Sequence, residues 1–97
     1  MKILNCRVYG EILDEILAHQ KNTEYREMSD YWVSRLILNP DNKDVATIIE
    51  GIRGGTFEPQ FKPYTHITFH SGKREYTALI KQIRYDKHEK LFAIDFE

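Results

Sequence analysis

Apolar residues along the chain recur at two spacings, and the switches between them divide it into elements. Residues 2–9, KILNCRVY, alternate and predict a strand ended by Gly10. In EILDEILAH, residues 11–19, Ile12, Leu13, Ile16 and Leu17 form one stripe with Glu11, Asp14 and Glu15 opposite, which predicts a helix. His19 falls in the last turn of that helix, where a cation suits the dipole. Residues 23–28, TEYREM, predict a short strand. A second helix follows, with Ser29 as N-cap and Asp30 in the first turn, running through YWVSRLIL until Asn39-Pro40 stops it. The polar turn DNKD, 41–44, offers Asp44 as the next cap. The third helix places Val45, Ile48, Ile49 and Ile52 at i, i+3, i+4 and i+7, and Gly54-Gly55 ends it.

Beyond a proline-bounded connection at 56–63, the period returns to two. YTHITFH, 64–70, sets Ile67 and Phe69 against His66, Thr68 and His70. Ser71-Gly72 predicts a tight turn into a strand at 74–85. DKHE then leads to KLFAIDFE, with Phe92, Ile94 and Phe96 on one face. The order β-α-β-α-α-β-β-β is not the regular alternation of a doubly wound sheet. It predicts an α+β domain whose mainly antiparallel sheet curls toward a barrel, with helices covering one end.

Composition adds bounds to this picture. A chain of 97 residues, 41% of them hydrophobic, suits one domain with one core and no need of a structural metal. Its apolar runs are too short for a membrane span, and Met1-Lys2 leads straight into a strand-like segment, so a cytoplasmic location is expected. The single Cys6 cannot form an internal disulfide and reads as a small buried side chain. A net charge of −1 excludes a broad footprint for duplex nucleic acid. The charge is uneven, however: Lys73, Arg74, Lys81 and Arg84 stand against Glu75 alone within 73–84.

Most candidate chemistry is excluded by spacing. His66 and His70 share a strand face but lie about 13 Å apart, too far to ligate one metal. His88 falls in a turn, so no metal and no cofactor is expected. GIRGG, 51–55, follows a helix rather than preceding one, and reads as a helix terminus instead of a phosphate loop. No Ser-His-Asp order is recognisable.

The charged stretch KNTEYREMSDYW, 21–32, is different. Strand parity puts Glu24, Arg26 and Met28 on one face and Thr23, Tyr25 and Glu27 on the other. Glu24 and Arg26 suit either a solvated pair or a pocket in which a carboxylate accepts hydrogen bonds and a guanidinium meets phosphate or a base edge. Lys21 adds a cation just before the strand. In the following helix, Trp32 and Arg35 are i, i+3, and Tyr31 and Arg35 are i, i+4, so an aromatic ring and a cation share a face. Trp32 is read first as a core residue, since large aromatics dominate small cores; on the surface it would stack on bases.

The series ILAHQKNTEYR resembles the ASCH-domain motif, in which a lysine after a helix is followed by a glutamate and an arginine spaced as Lys21, Glu24 and Arg26. YREMSDYWVSRL is similar to the small phage and bacterial branch of that family, where a Tyr-Trp pair and an Arg-Leu pair follow the motif. The hairpin-like residues 64–85 suit the family as well, while 39–63 resembles an insertion carrying one helix. This resemblance implies a PUA-like small β-barrel, mainly antiparallel, with two to three helices over one end and a cleft lined by the motif. It also implies recognition of RNA or modified nucleosides. Some relatives deacylate N4-acetylcytidine with the lysine, a threonine and a later glutamate. Here Lys21 matches the lysine, but Glu24 stands at the threonine position and Thr23 faces the other way. Neither Glu50 nor Glu58 aligns with the later glutamate. The expected hydroxyl is therefore missing.

Three classes of function stay open. The first is binding of RNA, a nucleotide or a modified nucleoside through Lys21, Glu24, Arg26, Tyr31 and Trp32, with Arg35 and Lys73 on phosphate at the rim. The second is a small hydrolase of RNA or acylated nucleosides, with Lys21 and Glu24 as candidate catalytic residues; Glu24 or His66 would act as base and Lys21 or Arg26 as charge stabiliser. The third is a phage-type accessory protein that binds a host or defence protein through the acidic residues of 11–15 or the segment 39–63.

Overall fold

The computed structural model describes residues 1–97 and contains three helices and one five-stranded mixed sheet. In chain order the elements are β1 (Ile3–Arg7), α1 (Gly10–Leu17), β2 (Thr23–Arg26), α2 (Asp30–Leu36), α3 (Val45–Gly54), β3 (His66–Ser71), β4 (Arg74–Asp86) and β5 (Leu91–Phe96). The strand order is β1-β3-β4-β5-β2.

That order corrects the expected barrel. β1 and β2 are the two edges of the sheet and do not pair with each other, so it stays open. Closing a barrel requires edge strands that pair along a tilted common length, and these have only five and four residues. β1 also runs parallel to β3, from Ile3 opposite His66 to Arg7 opposite His70, which makes the sheet mixed. A parallel pair needs a long crossover, and everything from α1 to α3 lies within it.

The contacts divide the chain into two compact units. The first comprises residues 1–24, 63–83 and 94–97. Its core gathers Leu4 and Cys6 of β1, Leu13 and Ile16 of α1, Ile67 and Phe69 of β3, Ala78 of β4, and Ile94 and Phe96 of β5. Phe69 and Phe96 meet with ring centroids 4.9 Å apart. The helix stripe predicted from spacing delivers Leu13 and Ile16 inward, while Leu17 stays exposed. Arg74 of β4 holds α1 through its guanidinium, which donates to Asp14 Oδ1 at 2.7 Å. β3 and β4 form a hairpin closed by Gly72 and Lys73, with Ser71 opposite Arg74. A positive φ of 61° at Gly72, the first of the two turn residues, is the pattern of a type II′ turn, which glycine adopts at no steric cost.

The second unit comprises residues 25–62 and 84–93. Trp32, Val33 and Leu36 of α2 and Ile48 and Ile52 of α3 are buried with Met28, Ile37, Phe92 and Ala93. Ser29 caps α2 as its sequence suggests, accepting the Trp32 N–H at 3.2 Å. α2 ends at Leu36, earlier than Asn39-Pro40 would require, because Ile37 turns extended and bridges Phe61. Leu38 N–H then donates to the Gln60 carbonyl at 2.7 Å. Asp44 precedes α3 without a side-chain capping bond, and Gly55 ends that helix in the left-handed region at φ 76°. Gly51 has a separate reason to be glycine. A Cβ there would lie 2.6 Å from Phe57 Cβ, and its carbonyl accepts the N–H groups of Thr56 and Phe57.

Candidate functional site

The charged stretch is split between the two units after Glu24, and its members meet different fates. Along β2, Glu24 is buried, Tyr25 exposed and Arg26 half-buried, which keeps the predicted alternation.

In the first unit, Lys21 and Glu24 form an ion pair. Lys21 Nζ lies 3.1 Å from Glu24 Oε1, and Glu24 is only 6% exposed. The Cys6 thiol approaches Glu24 Oε2 at 4.0 Å. A carboxylate so withdrawn from water depends on its partners, and Lys21 supplies the charge that balances it. Thr23, on the other parity, donates to Asp95 Oδ1 at 2.7 Å, and Gln82 donates to Asp95 Oδ2 at 2.8 Å. Its hydroxyl is thus engaged in joining β2 to β5.

The first unit also contains a cavity of about 280 Å³, lined by Ile16, His19, Lys21, Asn22, Lys81, Phe96 and Glu97. His19 reaches it because α1 stops at Leu17. The histidine is therefore not in the last turn, as its sequence position suggests, but beyond the helix in the left-handed region, at φ 59°. Its N–H donates to the Ile16 carbonyl at 3.1 Å, and Gln20 N–H donates to Glu15 at 2.9 Å. These bonds close the helix and turn the chain toward Lys21. Sequence reasoning did not single out Asn22 or Lys81 for a site. Strand and loop spacing carry no signal that residues 19–22, 81 and 96–97 converge.

Lys73 occupies the exposed β3–β4 turn and does not line this cavity. His66 and His70 are engaged separately. His66 Nδ1 lies 2.8 Å from Thr65 Oγ1. His70 lies between Asn5 Oδ1 at 2.8 Å and Glu75 Oε2 at 3.5 Å. No group of three or more His, Cys, Asp or Glu side chains is arranged to hold a metal.

In the second unit the remaining candidates stack. The Arg26 guanidinium lies over the Trp32 ring, 5.2 Å from its centroid. Trp32 meets Tyr31 edge to face, with centroids 5.2 Å apart and planes at 86°. Arg35 lies over the Tyr31 ring at 5.5 Å, the contact its i, i+4 spacing foretells. The result is a four-member ladder, Arg26–Trp32–Tyr31–Arg35. Trp32 is 8% exposed and anchors it in the core, while Tyr31 is 56% exposed and carries it to the surface. The core reading of Trp32 and the stacking reading of its neighbours therefore hold together. An aromatic face attracts a cation, and the donors of a planar guanidinium match the geometry of phosphate oxygens.

Comparison of the chain with family models, with characterised proteins and with solved structures found no match. No helix is long and apolar enough to cross a membrane.

Proposed function

We propose that the chain binds RNA or nucleotides in single-stranded form through the surface centred on Tyr31 and Arg35. The observation that carries this reading is the ladder itself: an exposed aromatic ring between two guanidinium-bearing positions, rooted in the core by Trp32. Bases stack on such rings whatever their sequence, and arginine adds cation–π and phosphate contacts. Glu27 and Asp30 are exposed on either side of Met28-Ser29 and limit the local positive charge. The surface therefore suits one or a few nucleotides rather than a duplex.

The ladder residues lie within the stretch that resembles the ASCH domain, and membership of that family is part of this proposal. It rests on Lys21, Glu24, Arg26 and the Tyr31-Trp32 and Arg35-Leu36 pairs, and it supports recognition of nucleosides over other ligands. The ion pair of Lys21 with Glu24 favours a supporting role for both residues over a catalytic one.

The chain has a single tryptophan, so intrinsic fluorescence reports on the ladder directly. Titration with short single-stranded RNAs, mononucleotides and a duplex is expected to change Trp32 emission for the first two, with affinity falling as salt rises. Unchanged affinity in the double variant Tyr31→Ala, Arg35→Ala would falsify this reading. Turnover of RNA or of N4-acylcytidine that stops in Glu24→Gln would replace binding with hydrolysis.

A further inference from the structure

We infer that Lys62 is a second phosphate contact of the Tyr31–Arg35 surface, which therefore favours a single strand with phosphates on two successive nucleotides. The inference rests on the stacking surface proposed above and adds the size and charge of its ligand. Residues 60–62 run antiparallel to the end of α2, where Ile37 bridges Phe61 and Lys62 N–H donates to the Leu36 carbonyl at 2.8 Å. Leu38 N–H, the helical partner that the Ser34 carbonyl would have, donates instead to Gln60. The side chain of Lys62 takes its place, with Nζ donating to the Ser34 carbonyl at 2.8 Å. Ser34 is exposed and stands at i+3 from Tyr31, so the ammonium is held at the turn that follows the stacking ring.

This lysine differs from Lys21 in what it meets. Lys21 faces a carboxylate, whereas Lys62 donates to a neutral carbonyl, which leaves its charge in place. An ammonium has three donors, so two remain for phosphate oxygens. Glu27 and Asp30 equal Arg26 and Arg35 in number, and Lys62 makes the local balance positive. Its bond to Ser34 also fixes a long side chain, so less rotamer freedom is lost on binding. Spacing then separates one ligand class from another. Arg35 is drawn back over the Tyr31 ring, while Lys62 sits at Ser34, roughly 4.5 Å further along the axis than Tyr31. The two phosphates of a diphosphate share an oxygen and crowd at one cation. Successive phosphates of a strand are separated by a ribose and reach both.

The test is a titration of the whole chain with AMP, ADP and the 5′-phosphorylated dinucleotide pApA at several salt concentrations. The dinucleotide is expected to bind about fivefold more tightly than AMP or ADP. Its plot of log affinity against log salt should be steeper than that of AMP by about 0.7, the contribution of one phosphate contact. Lys62→Gln is expected to weaken pApA by about fivefold and to remove that extra slope, and Lys62→Arg to restore both. Loss of affinity with an unchanged slope would make Lys62 a cap of α2 alone and overturn the inference. Equal binding of AMP and pApA overturns it too, and ADP matching pApA overturns the choice of a strand. In each of these cases a loss of binding in Tyr31→Ala leaves the stacking surface standing. Full binding of all three ligands in Tyr31→Ala removes that surface and the inference with it.

Discussion

Glu24 and Arg26 stand two residues apart on one short strand, yet one is buried against an ammonium group and the other half-buried against an aromatic ring. Glu24 is buried and balanced by Lys21 at 3.1 Å, so its charge is consumed inside the protein. Arg26 lies over the Trp32 ring, and the ladder continues to an exposed Tyr31 under Arg35. The first arrangement is an ion pair in the interior, and the second is a stack that runs from the core to the surface. A motif of charged residues is thus not one functional unit, because each member is defined by what it faces.

The sharpest way to break this contrast is Trp32→Ala, which removes the buried foot of the ladder and should cost about 3–5 kcal/mol in urea denaturation. A loss below about 1 kcal/mol would mean that Trp32 is a surface platform rather than an anchor. Lys21→Ala comes next. Taking one partner from a buried carboxylate should cost about 1–3 kcal/mol, and a double-mutant cycle with Glu24→Ala should recover a coupling between the two. Additive effects would show that the pair is incidental. Tyr31→Ala should reverse the pattern, changing stability by less than about 1 kcal/mol while weakening single-stranded RNA by about tenfold. Equal losses in stability and binding would erase the distinction between the buried foot of the ladder and its exposed end.

Asp86 offers the smallest effect and a third arrangement, in which a carboxylate is held by N–H groups. Its pKa is lowered, first by the Glu89 N–H, against partial desolvation, with Arg84 and the His88 N–H adding to the effect. Because the folded value lies below the unfolded one, the stabilisation is present above the ordinary carboxylate range and is lost as pH falls through the folded pKa. Stability should therefore decline on acidification below about pH 4. Asp86→Asn should make that decline shallower, and identical slopes in the two proteins would rule Asp86 out as a contributor.

Local signals in the chain translated well into structure. The stripe of α1, the Ser29 cap, the Gly55 terminus and the long β4 all follow from spacing within a few residues, where propensity and patterning act directly. The parallel β1–β3 pairing and the open sheet were not legible, because they depend on which distant strand finds which edge. The early end of α2 has the same origin, since Phe61 claims Ile37 from 24 positions away. Among the candidate residues, parity set Glu24 and Arg26 on one face, and helical spacing brought Arg35 to Tyr31. The burial of Glu24 and the convergence of His19, Asn22 and Lys81 on a cavity arise from tertiary packing, for which no short window carries a signature.

The pairing of β1 with β3 sets an order of events during synthesis. Lys2 and Thr65, at the start of that pairing, are separated by 63 residues. A nascent chain that has emerged only through α3 therefore presents β1 without its hydrogen-bonding neighbour, and leaves Leu4 and Cys6 without the strand that helps bury them. The unit that holds Lys21 and Glu24 is completed only with the later strands, and until β3 emerges the N–H and C=O groups of β1 have no strand to pair with.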